Sequence, residues 1–505
     1  MLSGFPQRRQ KVTILALWLI ASVVLGALAG LHGTSSVWMI GAVAVLLVLF
    51  VAISREMLLW ACFVATYLLA WMAVSLRVIP AQSSFILEIA VVVLLARGLL
   101  VAFERGPLKI PPLFAVVVAV VVSSALLSLA SGTPPLVAVA GLRTYLRFPL
   151  LGLSIAVAPF GDGFARRLWR ALVTVGLLQV AVSAYQLATV GPGDFASGTF
   201  GLGGTGIEAV FLGALAATLM IRSVVLGDRI NLLDIGLGLM LLVPTLIGSA
   251  IIIYALLPAC LLFGLLVFTR RASRALIVTA AILFLLLGIL TPVALRYSSS
   301  TWVKSDVTLL LTSPQALAQY DRVASESGTQ LGRADQLRVA SEVAFRSDSV
   351  SAAFGHGPGS TSRSALGSAY EGPLLSEPGV AFLGAALPLV LVELGIIGVL
   401  TCLYVYISAI GKSIRVVREV GSEDLKLVAV FVGLLAFGML ITGIYDNSWW
   451  LPGTSLAFWA GLGTLLSVIP NADTPRMRLS TAGSVTPELQ MGRFGAPRAE
   501  VIGHS

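Results

Sequence analysis

The chain has 505 residues, of which 57% are apolar and 11% charged, whereas an average soluble domain is about a quarter charged. So little polar surface cannot cover a water-soluble globule, and three Cys with three His provide neither a disulfide framework nor a Cys/His metal centre. A net charge of +9 spread this thinly also excludes a nucleic-acid binder with a dense basic face. The composition predicts an all-α, polytopic integral membrane protein.

A helix crossing the hydrocarbon needs about 20 mostly apolar residues. In chain order such runs fall at 12–31, 36–53, 57–76, 84–103, 111–130, 136–158, 168–190, 206–226, 230–247, 250–268, 275–293, 379–410, 427–445 and 449–469. Eleven of these fourteen predicted spans lie in residues 1–295 and three in 379–469. The ninth and tenth share one uncharged stretch, 235–268, with Gly248 and Ser249 as the turn. Cys62, Cys260 and Cys402 fall inside apolar runs and read as small buried hydrophobes.

Residues 296–378 form one long loop, and residues 470–505, rich in Ser, Pro, Gly and Arg, read as a disordered tail. Cytoplasmic loops should hold the Lys/Arg excess. Most of the 33 Lys and Arg, among them Arg8, Arg9, Arg166, Arg167, Arg270, Arg271 and Lys412, fall on the side of the N-terminus. Both termini are therefore expected in the cytoplasm and the long loop outside. The basic cytoplasmic edges predict contact with anionic membrane lipids. Within the loop, Leu337, Val339, Val343 and Ala344 recur at roughly helical spacing among Arg333, Arg338, Glu342 and Arg346. This pattern predicts an amphipathic helix over 334–345, lying on the outer membrane face.

Three groups of residues could carry chemistry. Arg143 and Arg147 stand four residues apart in Gly141-Leu-Arg-Thr-Tyr-Leu-Arg-Phe148, hence on one face of the sixth span. A central Arg costs roughly 2.5–3.5 kcal/mol on insertion scales, so the pair calls for something negative. Either an anionic substrate group such as a diphosphate, matched by the guanidinium's planar fork, or one of the carboxylates Glu88, Glu208 and Glu393 would serve. The segment from Ala196 to Glu208 carries five glycines; it could turn backbone N–H groups toward an anion, but its composition favours a flexible connector. Finally, Leu331-Gly-Arg-Ala-Asp-Gln-Leu-Arg338 is followed by Phe354-Gly-His-Gly-Pro-Gly-Ser360, in which His356 could act as a base or stand as an ordinary surface residue.

The order of segments over about residues 60 to 445 resembles the O-antigen ligase and polymerase family of bacterial envelope enzymes. The likeness rests on Ser197-Gly-Thr-Phe-Gly201 before a span, the two tightly joined short helices and Gly332-Arg333. Phe354-Gly-His-Gly-Pro-Gly359 and Val392-Glu-Leu-Gly-Ile-Ile-Gly398 add to it. The resemblance implies a glycosyltransferase on the outer face of the bacterial inner membrane, in cell-envelope polysaccharide biosynthesis. Its donor would be a polyprenyl-diphosphate-linked glycan, its acceptor a glycan, lipid or protein, with no metal or cofactor; other envelope assembly proteins could be partners.

Carried over residue by residue, Arg333 matches the family's loop Arg, and Gly355, Gly357, Pro358 and Gly359 match its glycine turn. Glu393 and Gly395 match its Glu-x-Gly. Arg143, Arg147 and Arg338 would bind the diphosphate. Many members also have a His-Asn pair where this chain has Gly384 and Ala385. A substitute base would have to come from His356, Glu371 or Glu377. A flippase of lipid-linked glycan, and a catalytically silent scaffold, are the competing readings.

Overall fold

The structure is a computed structural model and describes residues 53–69, 71–72, 76, 78, 85–189, 191, 196–201, 204–227, 231–247, 252–269, 331–346, 349–362 and 371–469. The predicted spans 12–31 and 275–293, nearly all of 36–53, the turn at Gly248 and Ser249, and the tail 470–505 lie outside these residues.

The described residues contain helices and no strand. In chain order they are α1 (Arg55–Val64), which continues as a π-helical turn over Ala65–Leu69, α2 (Phe85–Arg105), α3 (Pro112–Ala130) and α4 (Pro135–Val157). Then come α5 (Phe164–Thr189), α6 (Thr205–Leu226), α7 (Leu232–Ile247) and α8 (Ile252–Phe268). The loop contributes α9 (Arg333–Arg346) and α10 (Ser349–Phe354), and α11 (Ala386–Glu419), α12 (Glu423–Thr442) and α13 (Pro452–Val468) complete the series. Seven of them, α2 to α6 with α11 and α12, are long and apolar enough to cross a membrane. The starts follow local chemistry. Pro112 and Pro135 open α3 and α4 at the position where a missing N–H costs nothing, while Ser54 and Ser422 cap α1 and α12 through their hydroxyls.

α6 and α12 are central, each 78% buried along its apolar window, against 33% for α5. Small residues let helices approach closely without a hydrophobic driving force. Gly152 of α4 and Gly463 of α13 meet backbone to backbone, so that a Cβ on either would strike the other helix. α11 starts at Ala386, seven residues later than the predicted 379, because Pro373–Ser376 and Val380–Phe382 form 3-10 turns around Gly379, whose φ is 82°.

Chain direction gives the bundle two unlike ends. At one lie the turns α3–α4, α5–α6 and α12–α13, the start of α11, and α9 with α10. At the other lie the ion pairs Arg166–Asp424, Arg167–Glu56 and Arg222–Asp234. α9 buries Gln336, Ala340 and Ala344, one stripe at i, i+4 and i+8, and exposes Arg338 and Arg346. Of the predicted apolar set Leu337, Val339, Val343 and Ala344, the buried stripe takes in Ala344, and the other three are half-buried beside it.

Candidate functional site

At the end bearing α9, the glycine turn and the Glu-x-Gly segment are in contact. Gly395 interrupts α11 with φ 66° and ψ −165°, a conformation that belongs to glycine. A break in a buried helix leaves carbonyls to be satisfied from elsewhere. The carbonyls of Val392 and Glu393 accept the N–H groups of His356 and Gly357, both at 2.9 Å. The Glu393 carboxylate, 4% exposed, accepts the N–H of Gly359 at 3.1 Å, the N–H of Thr361 at 3.0 Å and the Thr361 hydroxyl at 2.5 Å. From α3, Ser124 donates to the carbonyls of Phe354 and Glu393, and Ser128 to that of His356. A side chain on Gly141 of α4 would collide with Pro358. Gly355, Gly357, Pro358, Gly359, Glu393 and Gly395 therefore form one latch that holds the loop against three helices.

Arg143 and Arg147 are also brought together. Both guanidiniums meet Glu88 Oε1, Arg143 Nε at 3.1 Å and Arg147 Nη1 at 2.8 Å. Of the three carboxylates weighed above, Glu88 is the partner. The Arg147 guanidinium also lies over the Phe148 ring, 4.5 Å from its centroid. Removing one member of a buried charge set costs about 3–5 kcal/mol. Arg147 is 10% exposed and Arg143 36%, so the loss falls mainly on Arg147. Glu88→Ala is expected to destabilise the protein by about 3 kcal/mol, read as a lowered unfolding temperature in lipid nanodiscs. An unchanged temperature would refute the pairing.

Arg333, at the start of α9, stacks over the Tyr445 ring at 5.0 Å. Asp446 follows in the α12–α13 turn. Its Oδ1 accepts the Ser448 N–H at 2.9 Å, whereas Oδ2 is buried and has no hydrogen-bond partner among the described residues. That oxygen lies against the first turn of α6, so that a Cβ on Gly206 would stand 2.8 Å from it. Burial pushes the Asp446 carboxyl up to about 6, and the hydrogen bonds from Ser448 and the charge of Arg333 act in the opposite direction. The next residue, Asn447, likewise has a buried Oδ1 with no partner there. The same turn closes α11: the carbonyls of Asp446 and Gly443 accept the N–H groups of Ala386 and Leu387. Gln336 of α9 accepts those of Gly384 and Ala385 through its Oε1, at 2.9 and 3.0 Å. Asp446 and the helix carrying Arg333 thus flank Gly384 and Ala385, where the sequence has no ionisable group.

The remaining candidates lie elsewhere. His356 Nε2 is 3.3 Å from the Val343 carbonyl, ten residues and about 15 Å along α9 from Arg333. The structure does not bring the two together. Arg338 is exposed and pairs with Asp335 at 3.0 Å, Glu377 is 3.6 Å from Arg346, and Glu371 is exposed.

The Gly-rich segment after α5 is pinned, contrary to the expected flexible connector. Gln186 accepts the Gly198 N–H and donates to its carbonyl, at 2.8 and 2.9 Å. Gln179 accepts the Thr199 N–H at 2.7 Å and donates to its hydroxyl at 2.9 Å. Two side-chain amides thus replace the missing backbone partners of the loop. Sequence reasoning passed over both; the signal was two Gln seven residues apart on one face of an apolar helix.

Composition and fold together define a membrane-embedded helical protein. In comparisons with known proteins, the chain matches no family model and no curated protein.

Proposed function

We propose that the chain is a glycosyltransferase of the bacterial inner membrane, acting on a polyprenyl-diphosphate-linked glycan at its outer face, with both termini in the cytoplasm. The observation that carries this reading is that Arg333 stacks on Tyr445, the residue next to Asp446, whose Oδ2 lies against the start of α6, beside the backbone of Gly384 and Ala385. Asp446 takes the proton of the acceptor hydroxyl as that oxygen bonds to the anomeric carbon of the donor. The bond from that carbon to the diphosphate breaks, and its electron pair leaves with the diphosphate. Arg333 stabilises the charge that develops there. Arg143, the more open of the two guanidiniums on Glu88, reaches the diphosphate as well.

The test is turnover by the purified protein in lipid. Free polyprenyl diphosphate should appear only when donor and acceptor are both present, and Arg333→Ala should reduce its release by about 10²-fold or more. Movement of labelled donor across a vesicle with no covalent change would favour the flippase instead. Full cellular function without Arg333 would favour the scaffold. A cysteine at Ser349 should react with an impermeant thiol reagent from outside; labelling from the cytoplasmic side alone would reverse the topology.

A further inference from the structure

Glu208 lies in the first turn of α6 and is fully buried, and among the described residues it forms no ion pair. Among the described residues its carboxylate has one hydrogen-bond partner, the Ser183 hydroxyl at 3.3 Å from Oε1, and Oε2 has none. A second acceptor faces the same point. A Cβ on Gly198 would collide with Gln179 Oε1 and stand 2.7 Å from Glu208 Oε1, so an amide oxygen and a carboxylate oxygen converge on one glycine Cα. The groups around them on α5 and the pinned segment, Ser183, Gln179, Gln186 and Thr199, are neutral. Asp446, beside Gly206 in the same turn of α6, is also acidic. Arg222, the cation of α6, is fourteen residues and about 21 Å away along the helix, paired with Asp234.

A carboxylate buried away from water without a cationic partner is strongly disfavoured and is met, as a rule, by neutralisation. We propose that Glu208, with Gln179 Oε1 and Ser183 Oγ, binds a single positive charge, supplied as a proton or as an alkali cation. The bound charge fastens the start of α6 to the Gly198-Thr199 segment. It therefore sets the position of Gly206, against which Asp446 lies. The proposal stands independently of the reaction assigned above, because its readouts are binding and stability rather than turnover.

Full-length protein in lipid nanodiscs would be unfolded thermally in sodium, lithium, potassium or choline chloride at constant ionic strength. Infrared spectra of the same samples would report the carboxyl C=O stretch. A melting temperature that rises with one alkali cation over choline, and loses that dependence in Glu208→Gln, identifies a cation site. No cation dependence together with a protonated-carboxyl band that Glu208→Gln removes identifies the proton. If Glu208→Gln does not fold, Ser183→Ala replaces it, and should weaken the cation dependence or shift the band. A protein with neither cation dependence nor a protonated-carboxyl band carries Glu208 as a bare anion, and the proposal fails.

Discussion

Asp446→Asn is expected to lower glycan transfer by about 10²- to 10⁴-fold, the usual contribution of a positioned base, while leaving the protein at least as stable as the parent. The two effects separate because the native fold disfavours the charged form of this carboxyl. Its value rises from 3.8 to about 6 on burial, so the folded chain holds the proton more tightly than the unfolded chain. Stability contributed at this position is therefore full at low pH and falls as pH climbs from about 4 to about 6. Above that range the ionised carboxylate is a liability of about 3 kcal/mol, which the neutral Asn does not carry. Activity runs the other way, since a base must be ionised. Below about pH 6 the parent should lose turnover tenfold per unit. Thermal melts and rate profiles across pH 4 to 8 check both. A stable Asp446→Asn variant with parental turnover would remove Asp446 from the mechanism, and an equally inactive but unfolded one would leave Asp446→Glu as the deciding variant, expected to retain the pH-dependent limb.

The second large effect is expected at Glu393. Alanine there strands the buried N–H groups of Gly359 and Thr361 and the Thr361 hydroxyl, each costing about 1–3 kcal/mol when left unsatisfied. Glutamine keeps one acceptor for Thr361 but sets an amide donor against the Gly359 N–H, so its cost should be intermediate. Hydrogen exchange over 355–361 reads the outcome directly: protection should fall steeply in Glu393→Ala and partly in Glu393→Gln. Unchanged protection in both would mean that the turn is held by its backbone contacts alone. Turnover should fall in parallel, although no atom of Glu393 is assigned to the chemistry.

The helices were legible because hydropathy is a local property. Predicted 111–130, 136–158 and 206–226 differ from the observed α3, α4 and α6 by one residue at any end. The partner of Arg143 and Arg147 was legible only as a choice, since nothing local distinguishes Glu88 from Glu208 or Glu393. Of the latch, the sequence marked only the separate parts, the glycine turn and the Glu-x-Gly span, through a resemblance; that the two touch was not legible. Asp446 was not legible. It follows an apolar helix in a short turn that reads as an ordinary connection. Its relation to Arg333 and to Gly206 spans more than a hundred and more than two hundred residues, both back toward the N-terminus. Only the tertiary arrangement of α6, α9, α11 and the α12–α13 turn brings them together.

The break at Gly395 also constrains how the protein is made. The two carbonyls it leaves inside α11 are answered by N–H groups of a segment translated some forty residues earlier. That segment can meet Ser124, Ser128 and Gly141 of the earlier helices but cannot complete its contacts until α11 has been synthesised and inserted. A nascent chain arrested before Val392 should carry the 355–361 turn open to protease, and one released after Leu394 has entered the bundle should not. The glycine that bends the helix thus also times the moment at which the loop end of the bundle closes.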